Sequence, residues 1–456
     1  MFTRCLGKFG GRLGRRSGFI WPRNVRKIHS GFVLCGRYEE AIRPEGSSQR
    51  AVFAWGANNE HQCHGNIKNP DGSPVETIST PHAVPLPEDC GSVAKVSAGW
   101  TTSFIIDEKG RSYSWGHSPF FGLANPGIQG GLIRDVTLCD PLKSVKMADI
   151  ACGRQHTLFL TASGDVIVCG NSEFGQAGNG RTGENEVVKV PLLVAALKGK
   201  GINQISSGLD HCCALTRDGR VWAWGYDYEG QCGVGDAGGE DGVDYPTEVR
   251  ALQDYHVIRV ECGLDYTAFL TSEGQLLGCG ANDFGQLGLG HTDQVDYPQV
   301  VAGSLQGKRV VDYSAGGSHM TAITDDGDVH AWGWQSSGRL GDGVLAPMPS
   351  LIESSDRIKQ QFLSEPVRIP GLCNNGFARL YSRGGHNIAT NEDGTEVYTW
   401  GLGSHGRLGH PEGESLATPK QLHLPFGRPF RALDIAAGVD HTLMVAVPVE
   451  KGDDLD

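Results

Sequence analysis

No stretch of the 456-residue chain approaches the roughly 18 to 20 consecutive apolar residues of a membrane-spanning helix, so no transmembrane segment is expected. The 13 cysteines include no Cys-x-x-Cys pair, which removes the usual zinc-ribbon and dithiol-redox arrangements. There is no Gly-x-Ser-x-Gly elbow to present a nucleophilic serine and no His-Glu-x-x-His pair to hold a catalytic zinc. Gly303-Ser304-Leu305-Gln306-Gly307-Lys308-Arg309 has the glycines of a phosphate loop, but the spacing is wrong and no Ser or Thr follows Lys308. No catalytic residue, cofactor or resident metal is therefore expected. Acidic residues are missing before Glu39, although the whole chain carries a net charge of −12.

That last absence sets residues 1–29 apart. They contain Arg4, Lys8, Arg12, Arg15, Arg16, Arg23, Arg26 and Lys27, with Phe2, Leu6, Phe9 and Leu13 at helical spacing on the other side. Basic, acid-free and amphipathic is the composition of a mitochondrial transit peptide. Regularly spaced Phe and Leu are unnecessary in a nucleic-acid-binding or nuclear-import arm, the competing reading. Arg26-Lys27-Ile28-His29-Ser30 resembles a processing site, placing a mature start near Ser30 in the matrix or on the matrix face of the inner membrane. Peripheral attachment there is left open. Without the eight basic residues the remainder is at −20, which repels phosphate backbones on average. DNA is not an expected partner; RNA remains open through a local basic patch.

What the body has in abundance is repetition. A small-residue-Gly motif, usually followed by His three residues on, occurs seven times. It reads Ser97-Ala98-Gly99, Ala151-Cys152-Gly153 with His156, Ser206-Ser207-Gly208 with His211, Glu261-Cys262-Gly263, Ser314-Ala315-Gly316 with His319, Ser382-Arg383-Gly384, and Ala436-Ala437-Gly438 with His441. Thr102, Tyr266 and Asn387 are read as standing in for His in the other three cycles. The second motif ends in Trp-Gly or Cys-Gly, at Trp55-Gly56, Trp115-Gly116, Cys169-Gly170, Trp224-Gly225, Cys279-Gly280, Trp332-Gly333 and Trp400-Gly401. Most steps are about 53 to 55 residues, a period that signals stacked supersecondary units.

Each cycle offers three or four short strands, with Asp-Gly hairpin turns at Asp218-Gly219, Asp326-Gly327 and Asp393-Gly394. A four-stranded antiparallel unit repeated about an axis is a propeller blade. The fold expected is all-β, a seven-bladed β-propeller over residues 51–447. It follows a linker over 30–50 and precedes an acidic disordered tail over 448–456. The chain opens on the second motif and closes on the first. The N-terminal strands over Val52 to Gly56 should therefore pair with the C-terminal half-blade over Ala436 to Val447, hiding two sheet edges.

The repeat accounts for most candidate ligands. Cys152 and Cys262 replace Ala or Ser before the repeat Gly, and Cys169 and Cys279 stand where other cycles have Trp, as reduced packing residues. Gly153, His156, Gly208, His211, Gly316, His319, Gly438 and His441 sit at equivalent places in different blades, so a structural hydrogen-bonding role is favoured over metal binding. Two interruptions remain as partner-binding candidates. The first, Phe120-Phe121-Gly122 to Ile133, is apolar and Gly-rich, with Phe120, Phe121, Ile128, Gln129, Leu132 and Ile133 as contacts. The second follows from the 68-residue step between Gly316 and Gly384, whose excess falls around Val344 to Ser364, with Arg357, Lys359 and Phe362 as contacts. The alternative for the first is that it tucks back onto its own blade, and for the second that it is a variable surface insertion with no partner.

His211-Cys-Cys-Ala-Leu-Thr-Arg-Asp-Gly-Arg-Val-Trp-Ala-Trp-Gly225 and Gly280-Ala-Asn-Asp-Phe-Gly-Gln-Leu-Gly288 resemble the repeat of the regulator of chromosome condensation family. The resemblance covers residues 51 to 447, and it is nearest to the mitochondrial members over Gly170 to Val188. It implies a seven-bladed propeller closed by its N-terminal strand. The founding member catalyses nucleotide exchange on a small GTPase with a hairpin wedge and acidic groups on one face. The first interruption does not match that motif, so no exchange residue carries over. Mitochondrial members are associated with ribosome assembly, organellar RNA processing and exchange on a dynamin-like GTPase. The function expected is a non-catalytic mitochondrial scaffold for protein or ribonucleoprotein partners, such as ribosome assembly factors. The alternative is a guanine nucleotide exchange factor for a mitochondrial GTPase.

Overall fold

The computed structural model describes residues 50–65, 67–117, 131–235, 242–346, 361–373, 375–424 and 429–449. The expected transit segment, nearly all of the linker and most of the tail lie outside them. So do Phe120, Phe121, Ile128, Gln129, Arg357 and Lys359.

The strands form seven four-stranded antiparallel sheets. Blade 1 holds β3 (Val93–Ala98), β4 (Thr102–Asp107), β5 (Ser112–His117) and β6 (Leu132–Leu138); blade 2 holds β7 (Met147–Cys152), β8 (His156–Thr161), β9 (Val166–Asn171) and β10 (Val187–Leu193). Blade 3 comprises β11 (Ile202–Ser207), β12 (His211–Thr216), β13 (Val221–Tyr226) and β14 (Gly242–Glu248), and blade 4 comprises β15 (Val257–Cys262), β16 (Tyr266–Thr271), β17 (Leu276–Gly280) and β18 (Val295–Val300). Blade 5 is β19 (Val310–Ala315), β20 (His319–Thr324), β21 (Val329–Trp334) and β22 (Phe362–Arg368); blade 6 is β23 (Arg379–Arg383), β24 (His386–Thr390), β25 (Val397–Gly401) and β26 (Leu416–Gln421). Blade 7 joins the chain ends: β27 (Phe430–Ala437) and β28 (His441–Pro448) from the C-terminal side, β1 (Ala51–Ala57) and β2 (Thr77–Ala83) from the N-terminal side, in the order β2-β1-β28-β27. The expected closure is present in register, Ala51 opposite Ala446 through Gly56 opposite His441.

The repeated residues have local reasons. A Cβ on Gly208 would lie 2.1 Å from His211 Cε1, because the imidazole folds back over the glycine; this closeness fixes the Gly-x-x-His spacing. Gly225 has φ of +99°, and a Cβ there would stand 2.5 Å from Asp210 O, so the third strand can pass the corner only as glycine. Six of the seven outer strands carry a proline (Pro81, Pro191, Pro246, Pro298, Pro366, Pro419), tolerated at a sheet edge where its missing N–H removes no ladder bond. The segment with phosphate-loop-like glycines is a linker between blades: Gly303–Leu305 is one 3-10 turn, and its Leu305 is buried.

Between neighbouring sheets the side chains interlock. Leu158 and Val168 of blade 2 meet Ala214 and Trp224 of blade 3 in one continuous apolar layer. Trp55, Trp115, Trp224, Trp332 and Trp400 are all at or below 1% exposure, with Cys169 and Cys279 filling the same place in blades 2 and 4. The cysteines of the described residues are free thiols, all buried except the half-buried Cys90.

The structure corrects one assignment. His386, not Asn387, takes the repeat histidine position of blade 6: it opens β24 opposite Gly401, as His211 opens β12 opposite Gly225. Arg383, not Gly384, takes the repeat glycine position: it pairs with His386 three residues on, as Gly208 does with His211, and the Gly384-Gly385 corner that follows shifted the apparent motif by one residue.

Two outcomes test this account. A chain beginning near residue 92 lacks β1 and β2 and leaves β28 as an open edge; it should lose solubility or cooperative unfolding, and melting as sharply and as high as the full chain would refute closure. Burial pushes His319 down to about 3 from its ordinary 6.5. Neutral His319 therefore contributes stability in full above pH 6.5, and the contribution is lost as pH falls towards 3. In urea melts the stability gap between wild type and His319→Gln should narrow steadily from pH 7 to pH 4; a pH-independent gap would contradict a buried neutral imidazole.

Candidate partner-binding face

The repeat histidines are ties between blades. His441 Nε2 donates to Ser103 Oγ of blade 1 (2.9 Å), and that hydroxyl donates to Gln62 O in the blade 7 loop (2.6 Å). The same clasp joins blades 3 and 4 through His211 to Thr267 (2.9 Å) and Thr267 to Gln231 O (2.7 Å). It joins blades 5 and 6 through His319 to Asn387 Oδ1 (2.8 Å) and Asn387 Nδ2 to Arg339 O (2.8 Å). His386 makes it to Thr442 (3.0 Å), which turns to Arg407 O at 3.4 Å. Because each partner hydroxyl or amide spends its hydrogen on the carbonyl, the histidine must carry its proton on Nε2.

Other junctions vary the theme. His156 Nε2 meets Ser207 Oγ (2.8 Å) and Cys212 Sγ (3.2 Å). The Tyr266 hydroxyl reaches the carbonyls of Gly316 (3.0 Å) and His319 (2.8 Å). At the junction of blades 1 and 2, Thr102 is too short to cross, and buried Thr157 Oγ1 has no hydrogen-bond partner.

First strands end, second strands begin and third strands end at one face. The ends of β5 and β21 and the starts of β6 and β22, which flank the two interruptions, therefore lie at that same face. The three described candidates from the interruptions are strand roots. Leu132 pairs with His117, and Ile133 pairs with Gly116 and is 5% exposed. Phe362 pairs with Trp334, whose ring stacks on Phe284 with centroids 4.7 Å apart.

The face divides by charge. In blades 2 to 4, Asp210 accepts hydrogen bonds from Arg154 and from Gln176 Nε2 (3.2 Å), and burial pushes its carboxyl up. Burial likewise pushes Asp227 and Asp265 up to about 6, and raises Glu173 with help from Asp210. Phe174, Tyr226 and Tyr228 form a ladder beside them, with centroids 4.8 Å and 6.4 Å apart. In blades 5 to 7 the buried charges are mainly guanidinium groups. Arg407 pairs with Asp440 (2.7 Å) and donates to Val439 O (3.0 Å). Arg339 donates from Nε to Ser336 O (2.8 Å) and stacks on Trp334 at 4.3 Å. Arg383 of blade 6 crosses to blades 2 and 3, donating to Cys152 O (2.6 Å) and Ser207 O (3.1 Å). The sequence reading passed over these residues. Their signal was the variable position just before the repeat histidine (Asp210, Asp265, Gly385, Asp440) and the residue after Gly in the Gly-Gln or Gly-Arg loops (Gln176, Arg339, Arg407).

Among the described residues no group of three His, Cys, Asp or Glu could hold a metal ion, and no helix is long and apolar enough to cross a membrane. The architecture and clasps define a seven-bladed repeat propeller that presents a charged face. Its sequence matches the RCC1-like domain over residues 6–362 and the regulator of chromosome condensation (RCC1) repeat over residues 395–445; the chain belongs to the RCC1-like family.

It is 36% identical over 225 residues to the mouse E3 ubiquitin-protein ligase HERC2, a match covering 49% of this chain but 4% of the ligase. It is 29% identical over 310 residues to the Arabidopsis thaliana ultraviolet-B receptor UVR8, covering 68% of this chain and 65% of the receptor. With the mouse secretion-regulating guanine nucleotide exchange factor it shares 28% identity over 415 residues, 88% of this chain and 84% of that protein. Among solved structures, human WBSCR16 superposes with a TM-score of 0.71 at 23% identity, covering 88% of this chain and 100% of that one. Yeast Prp20p, from Saccharomyces cerevisiae, does so with a TM-score of 0.71 at 20% identity, covering 89% and 94%. At these identities the structural likeness speaks for the fold.

Arg383→Met should lower stability by about 2 kcal/mol, because carbonyls on two opposing blades lose their donor. Chemical denaturation measures this; an unchanged midpoint would mean the cross-axis tie is energetically idle.

Proposed function

We propose that this protein is a non-catalytic propeller scaffold of mitochondria that docks protein or ribonucleoprotein partners in ribosome assembly or RNA processing. The observation that carries the docking half is placement: the strand ends that flank both interruptions of the repeat lie at the one face that also bears the buried carboxyl and guanidinium groups. The organellar half rests on the basic, acid-free, amphipathic composition of residues 1–29. Peripheral association with the matrix face of the inner membrane and RNA contact belong to the same reading. A second reading, guanine nucleotide exchange on a mitochondrial GTPase, is favoured by the match across 88% of the chain to a protein whose name states exchange activity.

The two readings separate in one set of measurements. Radiolabelled full-length chain should be imported by isolated mitochondria and shortened by about 29 residues. The imported protein should co-sediment with ribosomal subunits and leave GDP release from purified mitochondrial GTPases unchanged. Failure of import refutes the location. Accelerated GDP release, abolished by Phe120→Ala with Phe121→Ala, would replace the scaffold reading by the exchange reading.

A further inference from the structure

Successive blade junctions can be compared as repeats of one design. The loop residue Arg407 of blade 6 points at the next blade, where Asp440, the residue before the repeat histidine, takes its charge at 2.7 Å. Gln176 of blade 2 meets the equivalent Asp210 at 3.2 Å. At the junction of blades 5 and 6 the loop residue is Arg339, but the residue before the histidine is Gly385. The guanidinium is in place and the carboxylate has been deleted.

Arg339 is only 3% exposed. Its backbone oxygen is held by Asn387, its Nε by Ser336 O, and its plane by Trp334, so the side chain has little freedom. Among the described residues no carboxylate pairs with it. A Cβ on Gly385 would stand 3.0 and 3.1 Å from Leu402 Cβ and Cδ2 and 3.3 Å from Arg339 Nη2, so a side chain there would project between Leu402 and the guanidinium. Burial, and then the positive charge of Arg407, pull Arg339 down to about 9. An uncompensated buried cation is costly, and an anion brought against it recovers that cost.

The structure assigns to the Arg339–Gly385 junction a receptor site for a carboxylate side chain supplied by a docked protein partner. The incoming carboxylate takes the place that Asp440 fills one blade further on, accepting a hydrogen bond from an Arg339 Nη group. A planar fork favours a carboxylate in this setting. Ala346, which precedes the second interruption in the chain, lies beside the site, since Ser336 and Ser337, which adjoin the Arg339 loop, bridge to it. The assignment rests on the docking reading above and names the chemistry its partner must bring.

The probe is N-acetyl-aspartamide, with N-acetyl-asparaginamide as the uncharged isostere and inorganic phosphate as the competing oxyanion, each titrated into the full chain at constant ionic strength. The aspartyl probe should raise the melting midpoint saturably, by about 1 to 2 °C. The asparaginyl probe should not, and Arg339→Met should abolish the response while Arg339→Lys keeps part of it. A crystal of the wild-type protein soaked in the aspartyl probe should show its carboxylate against Arg339, a readout that needs no variant. Equal responses to the two amides, an undiminished response in Arg339→Met, or an empty site in the soaked crystal overturns the assignment. A response to phosphate with none to the aspartyl probe also overturns it, in favour of a phosphorylated ligand. Failed import or sedimentation would refute the scaffold reading while leaving the probe response intact.

Discussion

The clasp between a histidine and the second residue of the next blade's equivalent strand is the constraint on which much of this ring depends. Its partner must accept a hydrogen bond from Nε2 and donate one to a loop carbonyl, which Ser103, Thr267, Asn387 and Thr442 all do. Both ends are shielded from water, so a mismatched residue at either position would leave a buried polar group unpaired. The geometry also dictates the glycines: the imidazole reaches its partner by lying over Gly153, Gly208, Gly316 or Gly438, where any side chain would collide with it. One inter-blade interaction thus explains several of the recurring residues, and seven sheets close without a separate core at the axis.

Much of this was legible in the sequence because a repeat is read many times over. The blade count, the all-β class and the pairing of β1 with β28 followed from motif order. The double glycine Gly384-Gly385 defeated the same counting: with Arg383 in the repeat glycine position, counting from Gly384 ran one residue past His386 to its neighbour. The face was less legible still. That Asp210 meets Arg154 and Gln176 from another blade, or that Arg383 spans the axis to Ser207, depends on contacts between residues some 34 to 176 positions apart. Such contacts leave no local pattern.

Departures from the repeat carry different weights once the clasp is known. Cys169 for Trp or Tyr266 for His exchanges one filling or tie for another. The junction of blades 1 and 2 is a larger departure, since it has neither the histidine nor a partner for Thr157 Oγ1, and residues 118–130 stand in the chain where other blades carry their clasping loop. The second interruption adjoins the junction where Arg339 faces Gly385. Both breaks in the rhythm therefore fall, in the chain, next to a junction that departs from its neighbours.

The charge division gives the same face a direction. At the strand corners and loops of this face, carboxyl groups raised by burial lie in blades 2 to 4 (Asp210, Asp227, Asp265) and guanidinium groups lowered by burial lie in blades 5 to 7 (Arg339, Arg383, Arg407). Compensation is uneven: Asp210 is paired with Arg154 and Arg407 with Asp440, whereas Arg339 has no carboxylate partner among the described residues. A surface of one sign would attract ligands without orienting them, whereas two desolvated sets on opposite sides fix the rotation of a docked partner about the propeller axis. The division also accounts for how a chain with strongly negative net charge can keep the proposed receptor for an acidic group: Arg339 is shielded from distant carboxylates by burial and solvent screening, while the positive charge of Arg407 acts on it and so favours any anion that arrives.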